Sequence, residues 1–100
     1  MKLKVIYTDG REVEAFAGPR AQVELERRYD VAFMAAFDRQ KTGGAPRFEH
    51  IYFLGWAAVY YTGLDETADY DAWLSAIRDV ELVDEDAEPD PTQPGQPSAD

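Results

Sequence analysis

The apolar and polar positions of the first seventeen residues alternate, which predicts two β-strands joined by a tight turn. The positions that share one face of these strands are Leu3, Val5, Tyr7, Val13, Ala15 and Ala17. Between the strands, Asp9-Gly10 predicts a two-residue turn of type I′, because glycine readily adopts the positive φ that this turn requires. A lone hairpin is marginally stable in water, so we expect its apolar face to pack against other elements.

From Pro19 onward the apolar residues recur at helical spacing, and proline is favourable at the first helical position. The stripe consists of Leu25, Tyr29, Ala32, Phe33, Ala36 and Phe37. An aspartate flanked by tyrosine and valine predicts a break in this helix near residues 29–31. Residues 39–46 contain two consecutive glycines and Pro46, which predict a loop.

Residues 47–63 predict a central helix that is apolar nearly all round, which is typical of a helix surrounded by other elements. Gly63 is the kind of residue that follows the end of a helix. The uncharged run at residues 51–61 is about half of the ~20 residues that a membrane-spanning helix needs, and its flanks are charged. We therefore expect no membrane segment here.

A short amphipathic helix is predicted next, because acidic residues at 65, 66, 69 and 71 suit a helix start and an apolar stripe follows. The stripe consists of Tyr70, Trp73, Leu74 and Ile77. Residues 84–100 hold four prolines, no aliphatic side chain larger than alanine and no positive charge, which predicts a disordered acidic tail. The expected fold is α+β, with one domain over residues 1–83: an N-terminal β-hairpin followed by a small bundle of three or four α-helices.

The formal net charge of −10 is concentrated at the C-terminal end of the chain. Residues 1–78 hold twelve acidic and ten basic side chains, whereas residues 79–100 hold eight acidic and none basic. A nucleic-acid-binding protein needs clustered lysine and arginine to displace counterions, so this balance argues against nucleic acid as a partner. The chain has no cysteine, which excludes disulfides, thiolate catalysis and cysteine-ligated zinc.

Few residues could support catalysis or metal binding. His50 is the single histidine, and neither Ser75 nor Ser98 lies in the glycine-flanked turn of a serine nucleophile. Asp69 and Asp71 could form a carboxylate pair, but capping of the following helix explains them more simply. We therefore expect no enzymatic activity, no metal and no cofactor.

The aromatic residues are the remaining candidates for function. Tyr52, Trp56, Tyr60 and Trp73 are predicted to lie at or near the surface and to contact another protein, since aromatic side chains are enriched at interfaces. The alternative is that the same residues form the core. The pattern of residues alone leaves both interpretations open.

The order of several short motifs is similar to a known family. These motifs are "ERRY" at residues 26–29, "RFEHIYFLGW" at 47–56, "DYDAWL" at 69–74 and "DVEL" at 79–82, followed by the proline-rich acidic tail. Together they resemble the tail assembly chaperones of long-tailed, siphovirus-type phages that infect actinobacteria.

The resemblance implies a non-enzymatic protein that binds and solubilises the tape measure protein and helps to recruit the major tail protein. It also implies action in the host cytoplasm, absence from the mature virion, and either a homo-oligomer or a longer isoform made by ribosomal frameshifting. Two alternatives remain open: a structural head–tail connector or tail completion protein, and a small acidic regulatory protein that binds a basic partner.

Overall fold

The computed structural model of the protein describes residues 1–38, 40, 43 and 46–83. The elements are β1 (Lys2–Tyr7), β2 (Glu12–Phe16), α1 (Pro19–Tyr29), α2 (Phe33–Ala36), α3 (Phe48–Tyr61), α4 (Tyr70–Ala76) and β3 (Ile77–Val83). The predicted α+β class with its N-terminal hairpin is confirmed. The predicted disordered tail, residues 84–100, and most of the predicted loop at residues 39–46 lie outside the described residues.

The hairpin turn differs from the predicted type I′ turn, because Gly10 has a positive φ of 98° but Asp9 does not. The N–H of Gly10 bonds to the carbonyl of Tyr7 at 3.0 Å, and the N–H of Tyr7 bonds to the carbonyl of Arg11 at 2.8 Å. The loop therefore has three residues and ends in a glycine bulge, which is the next most common hairpin geometry.

A third strand, which the sequence patterns did not predict, completes the sheet in the order β2-β1-β3. The predicted helix stripe extended to Ile77, but α4 ends at Ala76 and Ile77 begins β3. Strand β3 runs antiparallel to β1 and places Val80 opposite Val5 and Leu82 opposite Leu3. The second edge of β1 is thereby hydrogen-bonded, which gives the hairpin the support that it lacks alone.

Helices α1 and α2 confirm the predicted break. Asp30 follows α1 with left-handed backbone angles of φ 53° and ψ 47°, so the helix cannot continue through it. The start of α2 is fixed to α1, because the carboxylate of Glu26 accepts a hydrogen bond of 2.7 Å from the N–H of Phe33.

Helix α3 packs across the inner face of the sheet and forms the centre of the core. Its end confirms the role predicted for Gly63, which has a φ of 81°. The N–H of Gly63 bonds to the carbonyl of Tyr60 at 3.1 Å, and that of Leu64 to Val59 at 2.9 Å. This pair of bonds is the Schellman motif, which satisfies carbonyls that the helix end leaves free.

Candidate protein-binding site

Four aromatic residues of α3 recur at intervals of four and therefore lie along one side of the helix. They are Phe48, Tyr52, Trp56 and Tyr60, here called the aromatic ladder. The rings of Phe48 and Tyr52 stack with centroids 5.9 Å apart, and those of Trp56 and Tyr60 stack at 5.0 Å. The structure thus brings three of the four predicted contact residues together and adds Phe48, which sequence reasoning missed although the four-residue spacing was the signal for it.

The accessibility of the aromatic ladder falls from Phe48 to Trp56 and rises again at Tyr60. Phe48 is 73% exposed, whereas Trp56 is only 7% exposed and belongs to the core. The predicted position of Trp56 at or near the surface is therefore wrong, because it packs against Tyr70 and the core. Tyr52 and Tyr60 are partly buried. The indole Nε1 of Trp56 donates a hydrogen bond of 2.8 Å to the carbonyl of Thr67, which fixes that end of the ladder. The end formed by Phe48 and Tyr52 is therefore the most accessible part of the ladder for another protein.

Trp73 lies in the core, so its predicted position at or near the surface is wrong. It is 1% exposed and is the largest of the fully buried side chains. It lies beside Gly55, where its Cη2 atom would be 3.5 Å from an added Cβ, and its ring stacks on Tyr70 at 6.2 Å. The stripe on α4 therefore faces the domain interior.

A group of aromatic side chains supports the aromatic ladder from behind. The ring of Tyr70 meets Phe53 at 5.3 Å and Trp56 at 5.8 Å, both edge to face. The guanidinium of Arg28 lies 5.1 Å from the ring of Tyr70 and 5.2 Å from that of Phe53, which is cation–π distance. Burial, together with the neighbouring Tyr29, raises the pKa of Tyr70, so its phenol stays neutral. These contacts pack the Trp56 end of the aromatic ladder against the domain.

A side-chain hydrogen bond joins β1 to the segment that follows α3. The phenol of Tyr7 donates to Asp65 Oδ2 at 2.6 Å. Burial and this bond raise the pKa of Tyr7 to about 12. Burial alone would raise the pKa of Asp65, but hydrogen bonds from Tyr7 and Thr67 outweigh it and hold that pKa below its usual value.

The Tyr7→Phe variant is expected to lose about 1 kcal/mol of stability near neutral pH, because the bond to Asp65 is removed without a change in ring packing. The pKa of the Tyr7 phenol is higher in the folded protein than its ordinary value of 10.0, so the protonated phenol stabilises the fold below pH 10.0. This contribution disappears as the pH rises to about 12. The lowered pKa of Asp65 stabilises the fold above the ordinary carboxyl value, and this contribution disappears as the pH falls through the folded pKa.

Urea unfolding of the wild type and Tyr7→Phe across the pH range measures both effects. The difference in unfolding free energy between the two proteins should shrink above pH 10 and again in acid. If the difference in unfolding free energy stays constant into strong alkali, the hydrogen bond between Tyr7 and Asp65 does not contribute to stability.

The residues that were candidates for catalysis, His50 and Asp69, have structural roles instead. His50 is buried at the start of α3, 5.1 Å from the ring of Tyr29, and burial followed by the charge of Arg47 lowers its pKa. Asp69 caps α4, since its Oδ1 accepts from the N–H of Asp71 at 3.0 Å, as predicted.

Within the described ranges, no three side chains of histidine, aspartate or glutamate are grouped so that they could hold a metal ion. Among the described residues, no helix is both long enough and apolar enough to cross a membrane. Comparison of the chain with known protein families, with curated proteins and with solved structures finds no match.

Proposed function

We propose that this protein is a tail assembly chaperone of a long-tailed phage, which binds and solubilises the tape measure protein in the host cytoplasm. In this role it would also help to recruit the major tail protein, and it would catalyse no reaction. The order of the sequence motifs supports the proposal. The observation that carries it is the stacking of the exposed ring of Phe48 on the partly buried ring of Tyr52 at the start of α3.

The physical argument concerns apolar surface on both proteins. A client with long amphipathic helices has apolar stripes that must be covered before it assembles, and an aromatic surface on a rigid helix can cover them. Removing apolar surface from water contributes roughly 25 cal/mol per Å², and large rings such as Phe48 offer the most area per residue. The formal charge of −10 keeps the chain soluble while it exposes these rings.

Co-expression with the tape measure protein from the same genome tests the proposal. The wild-type chain should keep that protein in the soluble fraction and co-purify with it, whereas the Phe48→Ala/Tyr52→Ala variant should lose about tenfold or more of the captured protein. The variant should remain folded, because Phe48 is exposed and Tyr52 is only partly buried.

Leu64→Ala is the matched control, since Leu64 is exposed and apolar but follows the opposite end of α3. It should capture as much tape measure protein as the wild type. The proposal fails if the tape measure protein is equally soluble without this chain. Stoichiometric amounts of the chain in purified virions would instead favour a connector or tail completion protein, and capture of one folded basic protein would favour a regulator.

A further inference from the structure

The outer edge of β2 has no strand beside it among the described residues. The N–H of Tyr7 bonds to the carbonyl of Arg11, and that of Ala17 to the carbonyl of Met1. Backbone groups alternate in direction along an antiparallel strand, so those of Glu12, Glu14 and Phe16 point away from β1. These groups offer hydrogen bonds to an added strand.

The outer edge of β3 is less receptive to a new strand. The outward N–H of Val80 is occupied, because it donates a 2.8 Å hydrogen bond to Oδ1 of the adjacent Asp79. The pairing of β3 with β1 also contains an irregularity next to Tyr7, and such bulges protect an edge from further pairing. The β2 edge has neither feature, so it is the edge at which pairing is favoured.

An apolar groove of about 230 Å³ continues from the C-terminal end of the β2 edge. Its walls include Phe16 and Tyr61, and its lining contains the small residues Ala21, Ala57 and Ala58. Phe16 is 55% exposed and belongs to both the strand and the groove. An extended chain lying along β2 would therefore pass directly into a groove that can hold one bulky apolar side chain.

The charges on β2 indicate what kind of segment would pair with its edge. The side chains of Glu12 and Glu14 are 53% and 56% exposed on the outer face of the sheet, where lysines of β1 approach them from one side at 3.7 Å. A second copy of β2, paired about Val13 or Glu14, would place glutamate opposite glutamate, which is unfavourable. A segment carrying lysine or arginine at these positions would complement them.

We propose that the edge of β2 binds an extended segment of a partner protein by strand addition. The segment carries basic side chains opposite Glu12 and Glu14 and one bulky apolar side chain in the groove beside Phe16. The groove adjoins the C-terminal end of α3, whereas Phe48 and Tyr52 lie at its N-terminal end, so binding at the β2 edge and capture of the tape measure protein can fail independently.

Two synthetic peptides probe the edge of the full chain. One alternates lysine with valine and ends in leucine, and the other has glutamate in place of every lysine. In NMR titrations of the ¹⁵N-labelled protein, the lysine peptide should shift the amide signals of Glu12, Glu14 and Phe16 and slow their hydrogen exchange. The glutamate peptide should bind about tenfold more weakly or worse, because its charges repel those of β2.

Variants separate backbone pairing from charge. Glu14→Pro removes an outward N–H and should weaken lysine-peptide binding about tenfold, whereas the matched control Glu14→Gln keeps that N–H and should weaken it less. Should the proline disturb the strand, the Glu12→Lys/Glu14→Lys variant gives an independent answer, since it should prefer the glutamate peptide. The inference is overturned if neither peptide binds at millimolar concentration, if the shifts fall only around Phe48 and Tyr52, or if the charge-reversed variant keeps the wild-type preference.

Discussion

Trp73→Ala is expected to lower the free energy of unfolding by about 3–5 kcal/mol, far more than a substitution at an exposed position of this domain. Trp73 is 1% exposed and fills the space between α4, Gly55 of α3 and the ring of Tyr70. Alanine would leave a cavity that a helix fixed on a sheet can close only in part. A small domain is stable by only about 5–15 kcal/mol, so the loss would unfold a substantial fraction of molecules at elevated temperature.

Urea unfolding followed by circular dichroism measures this loss, with two variants as controls. Trp73→Phe should cost less than Trp73→Ala because it keeps an aromatic ring in the space. Phe48→Ala should change stability by less than about 0.5 kcal/mol, because Phe48 is exposed. Equal stabilities for Trp73→Ala and Phe48→Ala would show that Trp73 is not part of the core.

The elements predicted correctly from the sequence are those whose signal is local. The hairpin alternates within each strand, Leu25 and Tyr29 repeat at helical spacing within α1, and Gly63 marks the end of α3 by its own backbone preference. Each of these patterns holds whatever the rest of the chain does.

Strand β3 was missed because its position depends on a strand far away in sequence. The helical stripe that passes through Trp73 and Leu74 extends by spacing alone to Ile77, so the helix was expected to continue. The alternation of Asp79 and Glu81 with apolar neighbours was the signal for a strand, but it is short. What favours the strand is the free edge of β1, which pairs with β3 along its length and cannot be inferred from residues 77–83 alone.

The candidate binding site shows the same limit. An aromatic stripe has the same spacing whether it faces a core or a partner, so Tyr52 and Trp73 could not be distinguished before packing was known. Packing places Trp73 against Gly55 and leaves the Phe48 end of α3 exposed. The four-residue spacing of the aromatic ladder can be read from the sequence. Which end of the ladder is exposed depends on packing and cannot.

Gly55 illustrates how an unfavourable residue in a helix can be required by tertiary packing. Glycine inside a helix costs about 1 kcal/mol relative to alanine, so its presence in α3 needs a reason. A Cβ added at Gly55 would lie 3.0 Å from both γ-methyl carbons of Val80 on β3. That separation is too short for ordinary contact, and the glycine therefore allows the central helix to approach the third strand closely.

Gly55→Ala is accordingly expected to destabilise the fold by about 1–2 kcal/mol, because overpacking against Val80 outweighs the gain in helix propensity. In the V80A background the same substitution should be stabilising by up to about 1 kcal/mol, since the clashing methyl groups are gone and the added methyl fills part of the space. Urea unfolding of the wild type, both single variants and the double variant measures this change of sign. If Gly55→Ala stabilises both backgrounds, α3 and β3 are not in close contact at this point. If it destabilises both equally, the cost arises elsewhere than at Val80.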